Sequence, residues 1–199
     1  LPMVGIRDMV IHPREADLVM GTHGRGVIIL DDLEALRQIT PEITSQKLVF
    51  LKVPTADLGG GTGLGMGNFG GSGNFVGANK SRAARIMYFN QRRHMFGKMY
   101  VEVWKDGELL RTLPAGKGAG LNVVSLPTTI EKPKAAPSNN RTALFGTLSG
   151  PSMPLGTYDV KLIKGKQTYE TTMKLDVADD DIYSREDREA QRKLLMQVY

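Results

Sequence analysis

The chain has 199 residues, 41% hydrophobic and 24% charged, a balance ordinary for a folded soluble protein of one or two domains. Cysteine is absent, which excludes disulfides and thiolate metal sites. No apolar run approaches the roughly 18–20 residues that a membrane-spanning helix needs.

The start, Leu1-Pro2-Met3-Val4, has neither an initiator methionine nor the basic start and apolar stretch of a signal peptide, and reads as the middle of a longer product. Residues 1–52 then show short apolar runs separated by turn signals. Met9-Val10-Ile11 ends at His12-Pro13, where proline cannot donate to a sheet ladder. Leu18-Val19-Met20 leads into the reversal Gly21-Thr22-His23-Gly24-Arg25-Gly26, and Val27-Ile28-Ile29-Leu30 returns as a hairpin partner, stopped by Asp31-Asp32. Asp32–Arg37 reads as a short helical or turn-like connection, and Lys47–Lys52 as a further strand. Strands this apolar cannot cover both faces of their own sheet, and a hairpin alone is marginal. Such a sheet needs others stacked or radially repeated against it.

The run Asp8–Arg14, then Asp17–Gly26, then Ile29-Leu30-Asp31-Asp32, resembles the closing blade of sortilin-like, BNR-repeat β-propeller proteins of bacterial, Bacteroidetes-like type, which are often labelled glycosyl hydrolases. The resemblance covers roughly the first 40 residues. It implies an extracytoplasmic protein, in the periplasm or on the surface of a Gram-negative bacterium, whose other blades lie upstream. It further implies a structural or protein- or glycan-binding scaffold at the cell envelope. The alternative is a supporting part of a glycoside hydrolase whose catalytic carboxylates sit on those upstream blades.

Residues 53–79 hold a glycine-rich stretch from Gly59 to Gly73, which has the composition of a flexible linker and marks a domain boundary. Gly65-Met66-Gly67-Asn68-Phe69-Gly70 formally matches G-x-G-x-x-G, but a dinucleotide site needs a strand before it and a helix after it, and here glycine continues on both sides. No cofactor is expected.

Residues 80–178 alternate in the manner of an all-β sandwich. Strands are expected over Ala84–Phe89, Met99–Trp104, Leu109–Leu113, Gly120–Leu126, Pro154–Ile163 and Thr168–Val177, with Asp106-Gly107 as a hairpin turn. Their order resembles the Ig-like or fibronectin-like modules that follow bacterial propellers. Trp104 and the tyrosines at 88, 100, 158 and 169 are expected in its core. The tail from residue 179 changes to helical period, with Ser184 as N-cap, Glu186 and Asp187 in the first turn, and Leu194, Leu195 and Val198 as an apolar stripe. The fold class is therefore all-β: a last propeller blade, a glycine-rich linker, an Ig-like sandwich and a short C-terminal helix.

The net charge of +5 is concentrated in the sandwich segment, which carries sixteen basic and seven acidic residues. These cations are scattered over strand and loop positions rather than packed in a run, the pattern of a solvated basic surface, and no nucleic-acid partner is expected. Chemistry is thinly represented. Asp31 and Asp32 are adjacent, and neighbours on a strand point to opposite faces, which suits backbone capping better than flanking a glycosidic bond. Histidines 12 and 23 lie eleven residues apart across a hairpin, a spacing that does not by itself bring ligands together on a metal, and turn histidines are more often satisfied by backbone groups. Arg25, between two glycines able to adopt positive φ, is presented from the blade edge toward a carboxylate or a ligand. His23, Arg25, Asp31 and Asp32 are thus the candidate ligand or blade-closure contacts. No catalytic or metal residue is assigned.

Overall fold

The structure, a computed structural model, describes residues 3–13, 16–31, 33–51, 56–58, 83–131, 150–177 and 181–198. The glycine-rich stretch from Gly59 to Gly73 and residues 132–149 fall outside these. The described chain is mostly β and forms three sheets.

The first sheet holds β1 (Ile6–Ile11), β2 (Leu18–Thr22) and β3 (Val27–Leu30), paired antiparallel in that order. The tight link from β1 to β2 is closed by the amides of His12 and Ala16, which donate to Asp17 O and His12 O at 2.8 and 2.9 Å. Two short helices follow, α1 (Leu33–Arg37) and α2 (Pro41–Ser45). Thr40 caps α2, its hydroxyl accepting from the Ile43 amide at 3.5 Å, and Pro41 occupies the first turn, where its missing N–H costs nothing.

The rest is a two-layer sandwich. One sheet has the order β4-β6-β9, from β4 (Leu48–Phe50), β6 (Ala84–Asn90) and β9 (Gly120–Leu126). The other has the order β5-β11-β10-β7-β8, from β5 (Ala56–Leu58), β7 (Met99–Lys105), β8 (Glu108–Pro114), β10 (Gly156–Lys164) and β11 (Gln167–Val177). All pairings are antiparallel except β5 with β11. Alternate residues of both sheets face inward into one core. Ile86, Tyr88, Val124 and Leu126 of the smaller sheet meet Val101, Val103, Tyr158, Val160, Leu162 and Leu175 of the larger. Each such aliphatic side chain contributes roughly 1.5–3 kcal/mol when withdrawn from water.

Two boundaries differ from the sequence expectation. Leu48–Phe50, grouped above with the first unit, pairs with β6, and Leu48 joins the sandwich core. Ala56–Leu58, grouped with the linker, forms the parallel edge strand beside β11. The helices also belong with the sandwich. Ala35, Ile39, Ile43 and Leu51 pack over Met87 and Phe89 on the outer face of β6. That cover explains why β6 is buried on nearly every residue rather than on alternate ones.

Two buried tyrosines tie loops to this core. Tyr158, near the start of β10, donates its hydroxyl proton to the carbonyl of Pro154. Tyr88 reaches across to Gly116 O at 2.5 Å.

The chain ends in α3 (Arg185–Val198). Ser184 caps it reciprocally with Asp187, at 3.2 Å from the Asp187 amide to Ser184 Oγ and 3.0 Å from the Ser184 amide to Asp187 Oδ2. The helix docks through arginines rather than through an apolar face. Arg188 grips the enclosed Asp181 carboxylate at 2.7 and 2.9 Å, and Arg192 Nε donates to Ser152 O at 3.2 Å. Burial opposes charge on Asp181, yet hydrogen bonds from the Tyr183 amide and from Arg188 hold its carboxyl below the usual range. The expected stripe residues Leu194 and Leu195 stay exposed.

Candidate functional site

The turn of the hairpin β2–β3 carries His23 and Arg25, and Asp31 follows β3 directly. At its turn, Gly24 and Gly26 adopt φ of 80° and 69°, a left-handed backbone that glycine reaches without strain. Thr22 fastens the loop, its amide and hydroxyl both donating to Gly26 O at 3.0 and 2.7 Å. The His23 amide donates to Gly5 O at 2.9 Å, joining the turn to the chain that enters β1. His23 and Arg25 therefore project from a well-tied loop, and both are exposed. No ion pair of Arg25 occurs among the described residues.

Asp31 is also exposed but follows Leu30, which pairs with Leu18 at the opposite end of the hairpin. Asp32 lies outside the described residues. With Gly21 opposite Val27 at the turn and Leu18 opposite Leu30 at the far end, the length of β3 separates Arg25 from Asp31. At about 3.3 Å per strand residue that is on the order of 13 Å. The structure does not gather His23, Arg25 and Asp31 around one point. Among the described residues no group of three or more His, Cys, Asp or Glu side chains is arranged to hold a metal ion.

What the first sheet does present is apolar surface on both faces. The register aligns Val10, Val19 and Ile29 across the three strands on one face, and Met9, Met20 and Ile28 on the other. Met20 is almost fully buried, whereas Val10, Val27 and Ile29 on the first face are each more than half exposed, at 59, 65 and 58%. Among the described residues both outer edges, β1 and β3, pair with nothing beyond β2. An open β edge beside an uncovered apolar face is the arrangement natural proteins cover or blunt.

The sandwich offers a different surface. Trp104, expected in the core, instead lies on the outer face of the five-stranded sheet, because Val101 and Val103 take the inward positions of β7. Its indole N–H donates to Glu102 Oε2 at 3.0 Å, and the Lys161 ammonium lies 5.7 Å from its ring centre. Tyr100 shares this outer face with Trp104, whereas Tyr88 and Tyr158 are fully enclosed in the core and Tyr169 packs at its margin. Beside Trp104 a shallow depression of about 380 Å³ is lined by Asp159, Lys161, Glu170, Thr171 and Thr172. Lys161 and Glu170 pair across it at 3.2 Å. The depression is open and lined by polar side chains, with the Lys161 ammonium beside the Glu170 carboxylate.

No helix among the described residues is long and apolar enough to cross a membrane. No family model matches the sequence, and comparison with curated proteins and with solved structures finds no match.

Proposed function

We propose that this chain is the C-terminal part of an extracytoplasmic β-propeller protein. In this reading β1–β3 belong to a propeller blade, and an Ig-like sandwich follows as a non-catalytic scaffold that contacts other proteins or a glycan at the cell envelope. The observation that carries the reading is the first sheet: apolar on both faces and, among the described residues, unpaired at both edges and one strand short of a four-stranded blade. A blade packs between two others, which accounts for apolar residues in both parities of β1 and β3.

The Ig-like assignment draws on strand order and on Tyr158. The chain crosses between the layers from β6 to β7, from β8 to β9 and from β9 to β10, in the manner of a Greek key. A tyrosine near the start of the strand after the last of these crossings, hydrogen-bonded to a backbone carbonyl four residues upstream, is the tyrosine corner of such sandwiches. Trp104, Tyr100 and the Asp159–Glu170 depression supply the aromatic and polar groups that a glycan or protein partner would meet.

The double variant Val10→Lys with Ile29→Lys tests the scaffold reading. Because this face is open in the 199-residue chain, the variant is expected to change folding stability by less than about 0.5 kcal/mol. It is also expected to abolish concentration-dependent self-association measured by sedimentation velocity. A large loss of stability, or self-association unchanged, would mean that the face is not the one that packs against further sheets.

A further inference from the structure

The sequence scatters its basic residues, but the sandwich collects them. Leu48 pairs with Asn90, Asn90 with Gly120, Met99 with Lys164, Tyr100 with Pro114, and Lys164 with Gln167. The approach to β4 and the loops β6–β7, β8–β9 and β10–β11 therefore all lie at one end of the barrel-like layer pair. Lys47 comes from the first of these. The β6–β7 loop brings Arg92, Arg93 and Lys98, the β8–β9 loop Lys117, and the last turn Lys166 beside Lys164. No acidic residue occurs in any of the four segments, whereas the opposite end carries Asp106, Glu108 and Glu131.

This end is braced rather than loose. The Gln91 amide donates to Lys47 O at 3.2 Å, the His94 amide to Lys117 O at 2.9 Å, and the Lys117 ammonium to Gly97 O at 2.7 Å. Lys164 donates to the buried Asn90 Oδ1 at 2.7 Å, and Asn90 Nδ2 to Gly118 O at 2.9 Å. Lys47, Gln91, Arg92, Lys164 and Gln167 line a cavity of about 340 Å³ between these loops. Burial first, and then the neighbouring Lys47 ammonium, lower the Lys164 ammonium. Among the described residues none of Lys47, Arg92, Arg93, Lys98, Lys164 or Lys166 has an acidic partner.

At the same end Met95 and Phe96 stand out into solvent, 64 and 84% exposed, flanked by Arg92 and Arg93 on one side and Lys98 on the other. Gly97, at φ 88°, reverses the chain directly after them, so the two apolar side chains form the crest of the loop. We propose that this end of the sandwich docks onto an anionic phospholipid surface, with the cations meeting headgroup phosphates and Met95-Phe96 entering the interface. Stable peripheral binding takes two signals, charge and apolar insertion, and both are present here on one rigid rim. A nucleic acid would use the charge but would leave the crest unexplained. Single strands are bound by several aromatic rings along a groove, and this rim has one.

The test is co-sedimentation of the 199-residue chain with phosphatidylcholine vesicles made with and without phosphatidylglycerol. Binding is expected only to the anionic vesicles and is expected to weaken as salt rises. Phe96→Ser, at an exposed position that leaves the fold intact, should lower the partition coefficient about 10-fold, the scale of losing one interfacial aromatic. Arg93→Glu with Lys98→Glu should lower it more than 20-fold, since each cation near an anionic surface contributes roughly fivefold. No binding to anionic vesicles at low salt would overturn the proposal. So would binding to duplex or single-stranded DNA that displaces the vesicles and is indifferent to Phe96→Ser, which would identify the end as a nucleic-acid surface instead.

Discussion

Replacing Tyr158 by alanine is expected to destabilise the sandwich by about 3–5 kcal/mol, the range for deleting a large, fully buried aromatic side chain. Its ring belongs to the same core as Val103, Val160 and Met173, so the cavity would open inside that core. Tyr158→Phe separates the hydroxyl from the ring. It keeps the packing and removes only the bond to the Pro154 carbonyl, for an expected loss of about 1–2 kcal/mol. Urea unfolding followed by Trp104 fluorescence measures both, and equal losses for the two variants would show that the corner bond, rather than the packing, carries the effect.

The same tyrosines set an alkaline limit. Burial pushes the Tyr88 phenol up to about 12, and burial likewise raises Tyr158. The folded state thus holds these protons more tightly than the unfolded chain does. That stability is fully present below the ordinary tyrosine value of 10.0 and is lost as pH rises through about 12. Part of the tyrosinate absorbance should accordingly appear only together with loss of the sandwich's circular dichroism.

Asn90→Ala is expected to cost about 2 kcal/mol despite the small change in volume. Asn90 is completely buried, accepts from Lys164 and donates to Gly118 O, so truncation removes both bonds and leaves the partly buried Lys164 ammonium without its acceptor. The loss should be reduced in the double variant Asn90→Ala with Lys164→Met, which removes the stranded ammonium as well. A double-mutant cycle in thermal unfolding reads this coupling, and strict additivity would contradict a direct Asn90–Lys164 interaction.

The strands of the sandwich were legible because their inward positions alternate with polar ones, as in Met99–Trp104 and Gly156–Lys164. The same alternation misled at Trp104. It fixed that the residue shares a face with Tyr100 and Glu102, but hydrophobicity alone suggested the wrong side. Leu48–Phe50 was assigned to the first unit because it lies before the glycine-rich stretch, and strand pairing across that stretch leaves no local mark. Helix α2 has a readable start in Thr40-Pro41, a cap followed by proline at the first turn. The basic end was hidden for a deeper reason. Its cations come from segments up to 119 residues apart, Lys47 to Lys166, and only the register of seven strands brings them to one rim. His23 and Asp31 show the converse, near in sequence and separated by a strand.

The central claim is that the sandwich is complete in itself while the first sheet is built to be covered by others. Amide hydrogen exchange on the 199-residue chain tests it most directly. The account predicts strong protection through β6, β7, β10 and β11, and exchange in β1–β3 that is faster by orders of magnitude. Protection of β1–β3 equal to that of the sandwich strands would contradict it.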